Sequence, residues 1–182
     1  NMLSQQEDGF LIGDNTDGVG LMNDLKNHHG IDLNDKKILI VGAGGSAKGI
    51  LNILLDQAPK KIVIMNRTIK KAQALAAQDD RISTTEFDDE SQQFDLIVNA
   101  TSLSLQNKRP PLSEKILTSN TLCYDLLYAK NATPFMSWAV EHDARACDGL
   151  GMLVEQGAEN FSQWYRVDVS QYCIDVLECI RG

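Results

Sequence analysis

Apolar residues follow two alternating patterns along the chain from residue 37 onward. Short runs rich in Ile, Leu and Val, typical of buried β-strands, alternate with longer segments whose apolar positions recur at helical spacing. This alternation indicates repeated βαβ units around a parallel sheet. The predicted strands are 38–41, 62–65, 82–84, 96–99, 122–125 and 145–147. Because these runs are continuously apolar, helices should cover both faces of the sheet.

The segments between the strands are predicted to be helices, over 46–57, 69–77, 134–141 and 150–164. A further helix precedes the sheet, with Asp17 expected as its N-cap and Gly30 near its C-terminal end. The tail over 169–180 also places its apolar positions on one helical face. The polar stretch 106–111 is predicted to be a mobile surface loop. The expected fold class is α/β, a doubly wound, mainly parallel sheet with helices on both faces.

The composition is that of an ordinary soluble globular protein. Of 182 residues, 43% are hydrophobic and 23% are charged, which favours a single domain over 1–182. No apolar run approaches the roughly 20 residues that a bilayer span needs, and no secretory pattern begins the chain. We therefore expect a cytoplasmic protein with no membrane partner. The net charge of -8 argues against nucleic acid as a partner and favours a small molecule.

The cysteines and histidines carry no pattern of chemistry. The four cysteines are well separated and form no Cys-x-x-Cys pair, so no redox or metal role is expected. The predicted buried thiols are Cys123, Cys147, Cys173 and Cys179. The three histidines lack the spacing of metal ligands and have no acidic partner patterned with them. Solvated positions at helix ends are predicted for His28, His29 and His142. We expect no metal site.

The first predicted strand of the sheet runs directly into a glycine turn and then a helix. Gly42 permits a tight turn, Gly44 lets the backbone approach a pyrophosphate, and the small Ala47 allows close packing of helix on strand. The helix N-terminus adds unpaired N–H groups and a partial positive charge. A Rossmann-like dinucleotide site is therefore predicted; the alternative is a turn that merely joins two elements. The loop residues assigned to the cofactor are Gly42, Ala43, Gly44, Gly45, Ser46 and Ala47.

The residues after the second strand of the sheet indicate which dinucleotide binds. Folds specific for NAD place an Asp or Glu there to bind the ribose 2′-hydroxyl. This chain has Asn66, Arg67 and Thr68, followed by Lys70 and Lys71. Such a cationic cluster suits a 2′-phosphate through charge-assisted hydrogen bonds, so NADP(H) is predicted. The alternative is a solvated basic helix start, although cations there oppose the helix macrodipole.

Seven motifs, in matching order and approximate spacing, resemble shikimate dehydrogenases, specifically their C-terminal NADP-binding part. The motifs are Asn15, Thr16, Asp17, Gly18 with Gly20; the 42–47 loop; Asn66, Arg67, Thr68; Asn99, Ala100, Thr101, Ser102; Tyr124, Asp125 with Tyr128; Thr133, Pro134, Phe135; and 148–152 through Gln156. The resemblance covers nearly the whole chain. It implies reduction of 3-dehydroshikimate to shikimate with NADPH, in the pathway to aromatic amino acids.

The resemblance also implies roles for individual residues. The glycine loop would hold the pyrophosphate, and Asn66, Arg67 and Thr68 with Lys71 would hold the adenosine ribose phosphate. The residues implied along the nicotinamide are the backbone near Thr101 and Leu126, and Gly149. The residues implied at the substrate are Asn1, Asp17, Tyr128 and Gln156.

Asp17 is the implied catalytic residue. Hydride delivery to a ketone builds negative charge on oxygen, which a proton donor must meet. In the family that donor is a Lys paired with the Asp that Asp17 matches. The family's substrate domain, with its serine motif and this Lys, precedes the region seen here, and no Lys precedes Asp17. We therefore expect the chain alone to bind NADP(H) without turning over substrate.

The missing domain has further implied consequences. Residues 1–30 would include an inter-domain helix, and 169–182 a helix returning toward the substrate domain; apolar surface left exposed would favour self-association. Met2 stands where the family usually has Thr, so Asn1 and Met2 are also interpreted as an artificial start. Ser104 stands where the family usually has Gly, which would alter cofactor affinity or orientation.

Two other functions stay open. One is a quinate/shikimate dehydrogenase that tolerates NAD, which an acidic residue in place of Asn66 would favour. The other is a non-catalytic NADPH-binding or sensing module, which a native start near Met2 would favour.

Overall fold

The computed structural model describes residues 1–5, 8–87, 89 and 91–182. In chain order the elements are β1 (Met2–Gln5), β2 (Leu11–Asp14), α1 (Asp17–Asn27), β3 (Lys37–Val41), α2 (Gly45–Asp56), β4 (Lys61–Met65), α3 (Ile69–Ala76), β5 (Ile82–Thr85), β6 (Leu96–Asn99), β7 (Leu122–Asp125), α4 (Pro134–Glu141), β8 (Arg145–Asp148), α5 (Leu150–Tyr165) and α6 (Cys173–Arg181). Short 3-10 turns lie at Ser104–Gln106, Glu114–Ile116 and Ser170–Tyr172. Every predicted strand of the sheet is observed to within one residue at each end.

Six strands form one sheet in the order β5-β4-β3-β6-β7-β8, and every neighbouring pair is parallel. The chain moves outward from β3 to β5 and then returns to place β6 on the other side of β3. The strand order therefore reverses between β3 and β6, and a crevice opens beyond their carboxyl ends, where doubly wound folds bind ligands. The predicted fold class is confirmed.

Alternate side chains of β3 enter two different buried clusters. Ile38 and Ile40 belong to a cluster that includes Leu21 of α1 and Ile50 of α2. Leu39 and Val41 belong to a second cluster, with Phe135, Trp138 and Ala139 of α4. Because both faces of the strand are covered, β3 has an apolar residue at every position after Lys37.

Helix α1 packs closely between α2 and α5 because two of its residues have no side chain. A Cβ on Gly18 would lie 2.6 Å from Cγ2 of Ile53 in α2, and a Cβ on Gly20 would lie 2.6 Å from the carbonyl oxygen of Met152 in α5. The predicted N-cap was wrong: Thr16 occupies that position and Asp17 is the first helical residue. The backbone N–H of Asp17 donates instead to Oδ1 of Asn15. Gly30, with φ +64°, turns the chain away just beyond the helix.

The antiparallel pair β1–β2 was not predicted from the sequence. Met2 pairs with Asp14 and is buried, whereas every residue of β2 is exposed. Strands of four residues with so little burial carry almost no alternating pattern. The indole N–H of Trp164 in α5 donates to the carbonyl oxygen of Leu3 at 3.0 Å, which fastens the pair to the rest of the protein.

The prediction for the cysteines was wrong at one position. Cys123, Cys147 and Cys173 are buried thiols, but Cys179 is exposed on α6. The nine-residue helix α6 lies at the end of the chain and buries only Cys173 among its residues. Its opposite face therefore stays in water.

The prediction for the histidines was wrong for His28 and His29, which are partly buried, and is confirmed for His142, which is exposed at the C-cap of α4. Nε2 of His28 lies 2.9 Å from Oε1 of the buried Glu155, and His28 itself is mostly buried. Nε2 of His29 lies 3.6 Å from Oδ2 of Asp24. Glu155 lies 127 residues from His28, so spacing could not reveal that partner, whereas Asp24 lies only five residues before His29. Across the described residues, no group of three or more His, Cys, Asp or Glu side chains is arranged to hold a metal ion.

The stretch 106–111 lies at the surface as predicted, although Pro110 is buried. The guanidinium of Arg109 lies 5.1 Å from the ring centre of Trp138 and donates to the carbonyl oxygens of Pro110 and Leu112. No helix within the described ranges is both long and apolar enough to cross a membrane.

Candidate functional site

The turn between β3 and α2 holds the backbone open toward the crevice. Gly42 has φ +114°, and a Cβ there would lie 2.8 Å from the carbonyl oxygen of Ala100, so this position needs glycine. A Cβ on Gly44 or Gly45 would meet no atom within 4 Å. The outer side of the turn is thus open space, and Gly45 begins a helix whose first N–H groups can bind an anion.

A cleft of about 410 Å³ extends from this turn along α3. It is lined by Ala43, Gly44, Gly45, Lys48, Lys71, Ala74, Leu75 and Gln78. Two ammonium groups and no carboxylate belong to that lining. Neither Lys48 nor Lys71 forms an ion pair with any described residue, so both charges are available to an anionic ligand.

Lys48 was missed in the sequence analysis. It lies in the first turn of α2, four residues after Gly44, and its backbone N–H donates to the carbonyl oxygen of Gly44. Residues four apart lie on the same face of a helix, so this spacing could have placed Lys48 beside the turn. The absence of acidic residues from the first turn of α2 is a second available signal.

The end of β4 supplies the predicted cationic cluster. Nδ2 of Asn66 donates to the carbonyl oxygen of Thr68 at 2.9 Å, which shapes the turn into α3. Arg67 and Thr68 are exposed, and the first turn of α3 contains no acidic residue. The backbone N–H of Gly42 donates to the carbonyl oxygen of Met65, so this turn adjoins the glycine turn. The residues assigned to pyrophosphate and ribose phosphate therefore lie beside one another.

Three segments assigned to the nicotinamide meet at the carboxyl ends of β6, β7 and β8. The backbone N–H of Leu126 donates to the carbonyl oxygen of Asn99, and that of Thr101 donates to Oδ1 of the same residue. A Cβ on Gly149 would lie 2.4 Å from the carbonyl oxygen of Leu126, so only glycine permits this approach. Thr101, Leu126 and Gly149 thus lie along one continuous edge.

Ser104 is buried beneath this edge, and its hydroxyl donates to Oδ2 of Asp125 at 2.7 Å. The side chain therefore points into the protein.

Cys147 lies on β8, and burial raises the pKa of its thiol well above its ordinary value. The charges of Asp24 and Asp148 add to that shift. Cys147 is consequently a protonated, unreactive thiol at neutral pH.

The substrate residues predicted at the start of the chain lie together. Nδ2 of Asn1 donates to Oδ1 of Asp17 at 2.5 Å. Oδ1 of Asn1 accepts hydrogen bonds from the backbone N–H and the hydroxyl of Thr16. Asn1 thus connects the start of β1 to the start of α1. Among the described residues, Oδ2 of Asp17 receives no hydrogen bond, and Asp17 forms no salt bridge.

The cluster around Asp17 lies against the helices α2 and α5. A Cβ on Gly49 of α2 would lie 3.3 Å from Oδ2 of Asp17. The hydroxyl of Thr16 also lies 2.8 Å from Oδ1 of Asn160, one turn beyond Gln156 on α5. Gln156 contacts α1 at Gly20, where an added Cβ would lie 2.9 Å from its own Cβ. Three of the four predicted substrate residues are therefore held around the start of α1.

Tyr128, the fourth predicted substrate residue, lies just after β7. It is 51% exposed and lines a cleft of about 880 Å³ together with Asp148, Leu150 and Arg181. No hydrogen bond between described side chains connects it to the cluster around Asp17.

The arrangement suits a particular chemistry. An open glycine turn, a helix N-terminus and lysines can bind phosphates, while an edge of backbone groups leads from that turn past Thr101, Leu126 and Gly149. A carboxylate, Asp17, lies near the same helix α2 that begins at the turn. A phosphate-bearing ligand bound at the turn would extend along this edge.

A family model described as shikimate / quinate 5-dehydrogenase matches residues 24–120. The chain is also similar to the shikimate dehydrogenase (NADP(+)) of Halorhodospira halophila, at 48% identity over 166 residues. That match includes 90% of this chain and 62% of the relative, so the chain spans less than two thirds of the relative's length.

Two solved structures share the fold. An Ael1 enzyme from Pseudomonas putida superposes with a TM-score of 0.89 at 39% identity, over 96% of this chain and 66% of that one. Shikimate 5-dehydrogenase from Thermus thermophilus, in complex with NADP(H) and shikimate, superposes with a TM-score of 0.82 at 28% identity, over 97% and 66% of the two chains.

Proposed function

This chain belongs to the shikimate/quinate 5-dehydrogenase family, and from that premise we propose that it is the NADP(H)-binding part of a shikimate dehydrogenase. The whole protein would reduce 3-dehydroshikimate to shikimate in the pathway to aromatic amino acids. The observation that carries the proposal is the open glycine turn with Lys48 and Lys71 in the adjoining cleft. The curated relative and the Thermus structure, whose names include NADP, support the cofactor.

The residues present fit NADP(H) better than NAD(H). The turn at Gly44 and Gly45 has room for a pyrophosphate, and the N-terminus of α2 faces it. The place directly after β4, where an acidic residue would favour a free ribose 2′-hydroxyl, is taken by the neutral Asn66, which is followed by Arg67. With Lys71, Arg67 offers charge-assisted hydrogen bonds to a 2′-phosphate. When bound, the nicotinamide would supply the hydride.

Asp17 would orient a proton donor at the substrate. Its Oδ1 is occupied by Asn1, whereas Oδ2 receives no hydrogen bond from a described residue. A carboxylate oxygen in this state can hold a lysine ammonium, keep it charged and direct its proton toward the carbonyl oxygen of a substrate. Asn1 and Gln156 would bind substrate hydroxyls from either side of α1.

We propose that this chain by itself binds cofactor but does not catalyse reduction. None of the described ion pairs joins Asp17 to a lysine. Function as a non-catalytic NADPH-binding module is the second candidate. Use of NAD with quinate or shikimate is less favoured, because no acidic residue follows β4.

Self-association is proposed as a further property of this chain. The groove between α5 and α6 has a volume of about 440 Å³ and is lined almost entirely by apolar residues, including Phe161, Tyr172 and Val176. Exposed apolar surface of this kind favours association. Analytical ultracentrifugation should show a concentration-dependent rise in average mass, and a constant monomer mass would contradict this.

Calorimetry with NADP+, NAD+ and shikimate tests the central proposal. NADP+ should bind most tightly and shikimate very weakly, and no NADPH should be consumed with 3-dehydroshikimate. Binding of NAD+ as tightly as NADP+ would refute the cofactor assignment. Turnover by this chain alone would refute the proposal that it lacks a proton donor.

A further inference from the structure

The carboxyl ends of β6 and β7 share a polar network that is closed to solvent. Its side chains are 0 to 8% exposed and belong to Asn99, Ser104, Asp125 and Thr133. Asn99 and Asp125 are paired positions at the ends of the two strands. A buried cluster of polar groups is costly unless each group is hydrogen bonded, so its retention indicates a specific use.

Asp125 is the centre of the network and accepts four hydrogen bonds. Oδ2 accepts from the hydroxyls of Ser104 and Thr133, each at 2.7 Å. Oδ1 accepts from Nδ2 of Asn99 and from the backbone N–H of Leu127, each at 3.2 Å. All four donors are uncharged, and no described salt bridge involves Asp125. Each donor is therefore needed to replace the water that this carboxylate has lost.

The donors come from different segments of the chain. Ser104 begins the 3-10 turn after β6, Leu127 follows β7, and Thr133 is the N-cap of α4, where its hydroxyl accepts from the backbone N–H of Met136. Asn99 extends the network into the loop after β6, because its Oδ1 accepts from both the backbone N–H and the hydroxyl of Thr101. One carboxylate thus holds the loops after β6 and β7 in a fixed relation.

Those two loops carry the edge assigned to the nicotinamide. Thr101 lies three residues before Ser104, and Leu126 lies between Asp125 and Leu127. Gly149 joins the same arrangement, since its backbone N–H donates to the carbonyl oxygen of Leu127. A backbone edge binds a ligand well only if its groups are held in place by the residues beneath.

We propose that Ser104 is a positioning residue for the nicotinamide end of the cofactor. Its hydroxyl ties the loop after β6 to Asp125 and thereby fixes the backbone at Thr101. This inference rests on the proposed function, and it assigns Ser104 no contact with cofactor or substrate. Without the hydroxyl, Oδ2 of Asp125 retains only Thr133, and the loop after β6 loses a buried attachment.

The adenosine end of the cofactor supplies a control ligand. The phosphate-binding residues lie on the glycine turn, the first turn of α2, the turn after β4 and α3, outside the network, and none of them donates to Asp125. 2′-Phospho-ADP-ribose is NADP+ without its nicotinamide, so it uses only that end. A general loss of stability would weaken both ligands, whereas loss of positioning should weaken NADP+ alone.

The test compares the two ligands by calorimetry on the unaltered chain and on Ser104→Ala. We expect Ser104→Ala to lower NADP+ affinity about fivefold to twentyfold and 2′-phospho-ADP-ribose affinity less than about twofold. Ser104→Cys, which keeps a weaker donor, should give an intermediate NADP+ affinity. Ser104→Cys also tests the role of the hydroxyl if Ser104→Ala does not fold. Ser137→Ala, an exposed serine on α4, should change neither affinity.

The outcomes separate this inference from the proposed function. Equal weakening of both ligands, or no weakening of either, would overturn the role of Ser104. So would equal affinity of the unaltered chain for the two ligands, because the nicotinamide edge would then contribute nothing. Failure of the unaltered chain to bind either ligand would instead refute the proposed cofactor site.

Discussion

The phenolic hydroxyl of Tyr124 donates to Oδ2 of Asp24 at 2.5 Å, and both side chains are almost completely buried. This bond connects β7 to α1 across the core. Oδ1 of Asp24 has no hydrogen-bond partner among the described atoms and lies against Gly151, where a Cβ would approach within 1.9 Å. Tyr124 is therefore the principal hydrogen-bond donor to a buried carboxylate.

We expect Tyr124→Phe to lower the free energy of unfolding by about 1 to 3 kcal/mol, because a buried carboxylate loses its donor. Urea denaturation at neutral pH measures the change. Tyr172→Phe, which removes an exposed hydroxyl, is the control and should have little effect. Equal stability of the Tyr124 variant and the unaltered chain would contradict the importance of this bond.

The same bond predicts a dependence on alkaline pH. Burial first, and then the negative charge of Asp24, raise the pKa of Tyr124 well above its ordinary value of 10.0. The unfolded chain therefore loses this proton at lower pH than the folded one, and folding stability decreases as pH rises above about 10. Tyr124→Phe should reduce that decrease in stability.

Arg67→Ala should weaken NADP+ binding by about 1.5 to 3 kcal/mol, because charge-assisted hydrogen bonds to the 2′-phosphate are lost. Binding of NAD+, which lacks that phosphate, should change little. Lys60→Ala is the control, because it removes a cation at the amino end of β4, whereas Arg67 lies beyond the carboxyl end of that strand. Equal weakening of NADP+ and NAD+ would mean that Arg67 does not recognise the 2′-phosphate.

Lys48→Ala and Lys71→Ala should each lower NADP+ affinity about threefold to tenfold, since both residues are solvent exposed and their attraction to phosphate is screened. Titrations at several salt concentrations would measure this. The slope of affinity against salt should be shallower in each variant than in the unaltered chain. An unchanged slope for Lys48→Ala would remove Lys48 from the site.

Thiol labelling should distinguish Cys179 from the other cysteines. Burial raises the pKa of Cys123 to about 12, and burial together with Glu155 raises that of Cys173 to about 11. With iodoacetamide at about pH 8, the folded chain should gain one adduct, at Cys179, and the unfolded chain four. Mass spectrometry of Cys179→Ser should then show almost no labelling of the folded chain. Rapid labelling of Cys123 would show that the sheet opens at β7.

Asp79→Asn should make the chain less sensitive to acid. Hydrogen bonds from Arg81, to which its charge adds, lower the pKa of Asp79 from 3.8 to about 2. Its stabilising effect is present above pH 3.8 and is lost as the pH falls toward 2. The difference in unfolding free energy between the variant and the unaltered chain should therefore shrink over that interval. A constant difference would show that the charge of Asp79 is unimportant.

The sheet and the glycine turn were predictable because local sequence determines them. Continuous apolar runs such as Ile38 to Val41 are typical of strands inside a covered sheet. Gly42 indicates a positive φ angle, which residues with a side chain rarely adopt. The family resemblance, inferred from short motifs, is confirmed by the match over residues 24–120. The fold class followed from the same patterns.

The remaining features depend on contacts between distant residues. Glu155 lies 127 residues from His28, and Asp125 lies 21 residues from Ser104, so no local spacing could pair them. The β1–β2 pair has four-residue strands and little burial, which leaves almost no pattern to detect. The hydrogen bond between Asn1 and Asp17 was likewise not predicted, because it joins residues 16 apart in sequence.

Two glycines of α1 determine how closely the helices α2 and α5 pack against it. Gly18 rests on the helix that begins at the cofactor turn, and Gly20 rests on the helix that carries Gln156. A single added methyl group at either position would push one helix away from α1 and leave the other in place. Two positions without side chains therefore determine how far the glycine turn at the start of α2 lies from Gln156, which under the proposed function is the distance from cofactor to substrate.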